Sequence, residues 1–156
     1  MRKIGLADNM ELGDDYFMKQ ALKQAHLAAE EDEVPIGAVV VVNNQIIGKG
    51  YNQTRRLNDN TAHAEMLALT SAFNHFNSSV LQECTMYVTV EPCVMCAGAS
   101  MWSRIGRLVY GASEPKSGFT NYQPTLLHSK TEVVAGVLEE DCRELMQRFF
   151  ASKRTH

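Results

Sequence analysis

Two short stretches hold residues able to do chemistry together: His63-Ala64-Glu65 and Pro92-Cys93-Val94-Met95-Cys96. Cys93 and Cys96 stand three apart where a helix is expected to begin, so both sulfurs can face one point. A helix N-terminus favours anions and lowers thiol pKa values, which supplies the thiolates a metal needs. Two thiolates and one imidazole suit Zn²⁺ with its tetrahedral nitrogen and sulfur ligands. Three protein ligands leave the fourth position for water, a catalytic arrangement; a fourth ligand would close the site. Glu65, two residues from His63, points about 200° around a regular helix, so the two cannot both ligate from mid-helix. From a first turn beside the metal it can instead reach the activated water, accept its proton and later donate it. Two thiolates cancel the metal's charge, so weaker acidification is expected than with three neutral histidines, and the carboxylate matters more.

Plainer readings compete at this stage. A closed structural zinc site would recruit Cys84, Cys142 or His75. A redox Cys-x-x-Cys pair would open a thioredoxin-like βαβ unit, and here it comes instead with His-x-Glu. Cysteines packed in a core without any metal are the third reading. Either half of the signature is weak alone; the two halves together, each at a strand-to-helix junction, are specific.

The elements that must position these residues follow from periodicity. Asp14 or Asp15 caps a helix in which Phe17, Ala21, Ala25 and Ala28 keep helical spacing, and Pro35 is expected to stop it. Ile36 to Val42, with four consecutive valines, reads as a strand buried on both faces. An Asn43-Asn44 turn leads to its hairpin partner, Gln45 to Tyr51, and a polar loop runs to Asn60. A helix is expected from about Thr61 to Phe76, and a third strand over Thr85–Val90. Pro92 sits where a helix likes its first residue, with the helix continuing over 93–102. Arg107–Tyr110 and Glu132–Ala135 complete the strands around an irregular stretch, and an amphipathic helix spans 139–153. The order α-ββ-α-β-α-β-β-α implies one sheet with helices on its faces.

The chain has 156 residues, no internal repeat and no linker, so a single domain over 1–156 is expected, with 1–13 as a flexible N-terminal segment. At 45% hydrophobic and 21% charged, the composition excludes disordered or collagen-like classes. The longest apolar run has seven residues against the roughly 20 that a bilayer requires, so no membrane association is expected. Residues 1–13 lack the apolar core of a signal peptide, which points to a cytoplasmic protein with reduced thiols.

With these residues in view, the sequence resembles the zinc-dependent cytidine-deaminase-like superfamily, and within it the bacterial tRNA-specific adenosine deaminases. Beyond the two motifs, the resemblance is carried by Val34-Pro35-Ile36-Gly37-Ala38-Val39, Gly50-Tyr51-Asn52, Arg104-Ile105-Gly106-Arg107, Tyr110-Gly111-Ala112, Gly136-Val137-Leu138-Glu139 with Cys142, and Phe149-Phe150. It covers roughly residues 14–154. It implies a three-layer α/β/α fold around a five-stranded mixed sheet. It also implies one zinc per subunit on His63, Cys93 and Cys96, with Glu65 shuttling protons as water attacks C6 of adenine and ammonia leaves. The substrate implied is the wobble adenosine of a tRNA anticodon stem-loop, and the assembly a homodimer. Asn52 matches the position that hydrogen-bonds the flipped-out base, and Val90 a wall of the base pocket. Glu114 stands where the family usually has an Asp that contacts ribose. Phe150 belongs to a pair packed near the RNA, whereas Cys142, Leu145, Met146 and Phe149 form a helical core stripe. The stretch 118–124 departs from the family pattern, which leaves two rivals open: a deaminase of a free nucleobase or nucleoside, and a non-catalytic zinc-stabilised interaction module.

The net charge of −3 argues at first against a nucleic-acid partner. Residues 1–33 hold 4 basic and 8 acidic residues, whereas residues 48–130, where the motifs lie, hold 7 basic and 5 acidic. Arg55, Arg56, Lys116, Lys153 and Arg154 are expected to form a modest phosphate-binding rim if the fold brings them to one face, with a shallow salt dependence of binding.

Overall fold

A computed structural model describes residues 12–154. The expected flexible segment 1–13 therefore lies outside the described residues, apart from its last two. Helix α1 spans Asp14–Glu30 and is followed by the hairpin β1 (Gly37–Val42) and β2 (Gln45–Tyr51). Helix α2 is Ala64–Phe76, β3 Thr85–Val90, α3 Val94–Ser103 and β4 Arg107–Ala112. A short 3-10 turn at Phe119–Asn121 precedes β5 (Glu132–Ala135) and helix α4 (Glu139–Arg154). The sheet order is β2-β1-β3-β4-β5, with β1 antiparallel to both its neighbours and β3, β4 and β5 parallel. This is the expected mixed five-stranded sheet.

Period-two alternation on β1 divides the core. Val39 and Val41 pack with Phe17, Met18 and Ala21 of α1 and with Cys142 of α4. Ala38 and Val40 face the other way, against Ala64, Ala68 and Leu69 of α2 and Ala97 of α3. The strand is thus buried on both faces, and three layers result. The hairpin turn is made by Asn43 and Asn44, both left-handed at φ 49° and 63°, a conformation asparagine tolerates.

Two glycines set how closely α2 approaches the sheet. A Cβ at Gly48 or Gly50 would lie 2.3 Å from the carbonyl oxygens of Ala68 and Ala64 respectively. The helix therefore rests directly on β2, and its first residue, Ala64, is fixed against the strand end that carries Asn52.

Helix boundaries differ from expectation at three points, all beside the site. Helix α1 stops at Glu30, five residues before Pro35, and Asp32 turns left-handed at φ 63°. Helix α2 begins at Ala64, not Thr61, with His63 as its extended N-cap. Helix α3 begins at Val94, with Cys93 and not Pro92 at the junction. In each of the last two, a metal-ligand candidate occupies the residue where extended chain becomes helix.

Candidate active site

His63 and Cys93 precede their helices in extended conformation, and Cys96 lies one turn into α3. These junctions converge. His63 Nδ1 lies 3.6 Å from Cys93 Sγ and 3.4 Å from Cys96 Sγ, and the three ligand atoms all fall within 4.8 Å of one another. A tetrahedral zinc with bonds of about 2.3 Å to sulfur and about 2.0 Å to nitrogen demands a nitrogen–sulfur edge of about 3.5 Å. The donor set and its spacing fit that ion. Among the described residues no fourth ligand joins the group: Cys84 belongs to one core cluster and Cys142 to the other. The closed structural site is therefore not supported.

A hydrogen bond from Cys96, together with the His63 ring, draws the Cys93 thiol down to about 4, so it is a thiolate near neutrality. Cys96, bonded to that thiolate and buried near Glu65, is held up as a thiol, and contact with Cys93 raises His63. Glu65 is the second residue of α2, 4% exposed, and burial pushes its carboxyl up to about 7. With His63 on the N-cap, the angular conflict expected between His63 and Glu65 on one regular helix does not arise.

His63, Cys93 and Glu65 line a cleft of about 500 Å³, and Cys96 is fully buried beside them. Its walls include Ile36 and Asn52 from the sheet ends, Val90 from β3, Glu114 from the loop after β4, and Met146 and Phe150 from α4. A sequence profile for MafB19-like deaminases matches residues 12–154. The chain belongs to this deaminase family. The tRNA-specific adenosine deaminase of Bacillus subtilis (strain 168) is 42% identical over 146 residues, covering 90% of this chain and 91% of its own. A solved structure from work on A-to-I editing by tRNA:A34 deaminases at the wobble position of transfer RNA shares 43% identity. It superposes with a TM-score of 0.78, covering 83% of this chain and 98% of that one. A guanine deaminase from Nitrosomonas europaea superposes with a TM-score of 0.80 over 97% of this chain and 94% of its own, at 23% identity, which bears on the fold alone.

Of the site residues singled out from the deaminase's sequence, His63, Glu65, Cys93, Asn52, Val90, Glu114 and Phe150 line this cleft, whereas Cys96 is fully buried and does not. Asn52 is buried at 7% exposure, its backbone N–H donating to Ile36 O at 3.1 Å, while its side-chain amide meets no protein partner among the described residues. Val90 is buried, and Phe150 stands at the mouth with 42% exposure. Glu114 lines the cleft but is half engaged: its Oε2 accepts the backbone N–H groups of Lys116 and Ser117, each at 2.8 Å. The core stripe of α4 needs correction. Cys142 and Leu145 are buried, but Met146 lines the cleft and Phe149 is half-buried, with Lys153 5.4 Å above its ring.

The expected basic rim also differs. Arg55 pairs with Asp32 at 3.2 Å, Arg56 with Glu31 at 2.8 Å, and Lys153 with the same Asp32. The left-handed turn that ends α1 delivers two carboxylates to cations from two other elements. These three cations share two carboxylates.

Two buried glutamates escaped sequence reasoning, and each holds one wall of the cleft. Glu33 is 1% exposed, and its oxygens accept the backbone N–H groups of Arg55 at 3.1 Å and Arg56 at 2.7 Å. Glu91 is 5% exposed and accepts Glu114 N–H at 3.0 Å, Thr120 N–H at 3.0 Å and the Thr120 hydroxyl at 2.6 Å. Gly118 is required there, because a Cβ would lie 2.3 Å from the Glu91 carboxyl carbon. A glutamate that bonds backbone across more than twenty residues leaves no local pattern. The one available signal is an acidic residue directly before each of Val34-Pro35-Ile36 and Pro92-Cys93.

Proposed function

We propose that this chain is a zinc-dependent hydrolase that deaminates the wobble adenosine of a tRNA anticodon stem-loop to inosine. The observation that carries it is a zinc-shaped His63–Cys93–Cys96 trio, with His63, Cys93 and buried Glu65 lining one cleft, in a chain 42% identical to a tRNA-specific adenosine deaminase. Zinc bound there supplies Lewis-acid activation of water at neutral pH. Glu65, whose burial keeps its proton exchangeable near neutrality, takes one proton from the attacking water and places it on purine N1, where it stays, then takes the remaining proton from the C6 hydroxyl and delivers it to the amine leaving C6. Water adds, ammonia departs and the ring keeps a carbonyl. Asn52, with its amide unmatched inside the cleft, pairs with the base edge, and Val90 with Ile36 supplies apolar walls for its faces. Glu114 approaches the sugar and Phe150 packs at the entrance. Exposed Phe150 and Asn60 at the cleft mouth favour a base presented on a polymer over a free base in a closed pocket.

The working unit is a homodimer of single-domain subunits acting in the cytoplasm on tRNA. On α3, Val94 and Trp102 are 42% and 79% exposed and lie two turns apart on one face, an apolar stripe suited to a second copy. No helix among the described residues is long and apolar enough to cross a membrane.

The test is incubation with an anticodon stem-loop, free adenosine, cytidine and guanine, followed by product analysis. Inosine in the RNA alone is expected, and turnover of a free base alone overturns the reading. Glu65→Gln is expected to lose on the order of 10²–10⁴ in rate while staying folded and zinc-loaded. Full activity in that variant would remove Glu65 from the mechanism.

A further inference from the structure

The residue just before Pro92-Cys93 is tied to the loop that carries Glu114. Glu91 is 5% exposed, and its carboxylate accepts the Glu114 N–H at 3.0 Å, the Thr120 N–H at 3.0 Å and the Thr120 hydroxyl at 2.6 Å. Two backbone contacts flank that clasp: Phe119 N–H donates to Pro92 O at 2.9 Å, and Cys93 forms an antiparallel bridge with Gly118. We propose that Glu91 is a positioning residue that makes zinc loading at Cys93 and the order of the loop 113–121 depend on each other; this rests on the functional reading above and concerns the same site.

The loop is closed on itself. Gly118 N–H donates to Glu114 O at 3.1 Å, and the Asn121 side-chain amide donates to Glu114 O at 3.0 Å and Gly118 O at 3.2 Å. Phe119, 2% exposed, anchors it in the core shared by α2 and α3. A loop braced in this way shifts as a unit, and the Glu91 carboxylate with the two flanking contacts fixes it to the junction that bears Cys93. Only Pro92 stands between carboxylate and ligand, and its ring locks φ at about −65°. A displacement of Gly118 is therefore passed on to Cys93 and not absorbed by the chain. Glutamate is required because three donors meet two oxygens. In glutamine the NH₂ group would face either the Glu114 N–H or the Thr120 N–H and leave one of them unpaired. Zinc acts from the other side: holding Cys93 fixes its bridge to Gly118, so the loop can open only if the ligand junction moves as well. Coupling of this kind is reciprocal, so whatever loosens the loop weakens zinc by the same factor.

The experiment measures zinc affinity of the full chain by competition with a chromophoric chelator, and amide hydrogen exchange over residues 114–120 with and without zinc. In the wild-type chain, zinc is expected to slow exchange at Glu114 and Thr120 about 5- to 100-fold. Glu91→Gln is expected to weaken zinc binding about 10- to 100-fold and to bring the zinc-dependent difference in exchange within about twofold. Thr120→Val removes one hydroxyl donor at an exposed position, and should weaken zinc about 2- to 10-fold. Thr120→Ser, which keeps the hydroxyl, should match wild type. Asp14→Asn, which loosens α1 away from the site, should leave zinc affinity and the exchange response unchanged. Zinc affinity equal to wild type in both Glu91→Gln and Thr120→Val overturns the coupling. So does an equal fall in Asp14→Asn, which would trace the effect to lost stability alone. If Glu91→Gln does not fold, Thr120→Val against Thr120→Ser decides the matter. A wild-type chain that binds no zinc overturns the functional reading and the coupling together. Zinc bound and the coupling intact, with no inosine in the stem-loop, overturns the substrate reading and upholds the coupling.

Discussion

Replacing Glu33 by glutamine changes almost no volume but removes one of two acceptor oxygens. In the native chain those oxygens accept two consecutive backbone N–H groups, from Arg55 at 3.1 Å and Arg56 at 2.7 Å. The amide oxygen would keep the shorter bond, and the NH₂ group would then face the Arg55 N–H, donor against donor. Losing a charged acceptor for the surviving bond costs about 1 kcal/mol, and an unsatisfied, partly buried N–H costs about 1–3 kcal/mol. The neutral amide is easier to bury than a carboxylate, which offsets part of this. The net expectation for Glu33→Gln is about 2 kcal/mol of destabilisation, or roughly 4–8 °C in melting temperature for a chain of this size. Urea titration followed by circular dichroism reads the first, and a thermal scan the second. The same loop places Thr54 and Asn60 on the cleft wall and follows directly from Asn52, so half-saturation for the stem-loop should rise several-fold. Zinc content should stay unchanged, because the trio sits on other junctions. A variant within about 0.5 kcal/mol of wild type would refute the clamp, since that is the range of a neutral surface substitution.

Asp32→Asn would release Arg55 and Lys153 from one shared carboxylate. If both reach phosphate, stem-loop binding should tighten at low salt and its log–log salt slope should steepen by about 1–2; an unchanged slope places them outside the RNA interface. Asp14 accepts the Tyr87 hydroxyl at 2.7 Å and the Arg107 guanidinium at 3.0 and 3.1 Å, tying the start of α1 to β3 and β4. The Arg107 hydrogen bond lowers its pKa in the folded chain, so its contribution is present above the ordinary Asp value of about 4 and is lost as pH falls through the depressed one. Asp14→Asn should therefore cost about 1–2 kcal/mol at pH 7 and lessen the decline of stability in acid; a decline as steep as wild type would refute the linkage.

Much of this protein was legible locally. The valine run of β1, the Asn43-Asn44 turn and the helical spacing of Phe17, Ala21, Ala25 and Ala28 each follow from backbone periodicity. So does the pairing of His63-x-Glu65 with Cys93-x-x-Cys96, because the chemistry requires those residue types and the motif is short. The departures have a common cause. Helices α2 and α3 start later than the pattern indicates because His63 and Cys93 need extended backbone to turn toward one point. Met146 looks like core by spacing, but α4 lies over a cleft there, not over sheet.

Residue types, the strand and helix periods and the groups able to hold a metal were determined by the sequence itself, since each depends on neighbours within a few positions. Tertiary structure alone decided which carboxylates hold the cleft walls and which cations are already paired. Glu33 finds its partners 22 and 23 residues away, Glu91 between 23 and 29, and Lys153 finds Asp32 across 121. Hydrogen bonds and ion pairs act over a few ångströms, and at those separations only the folded chain sets which groups come that close.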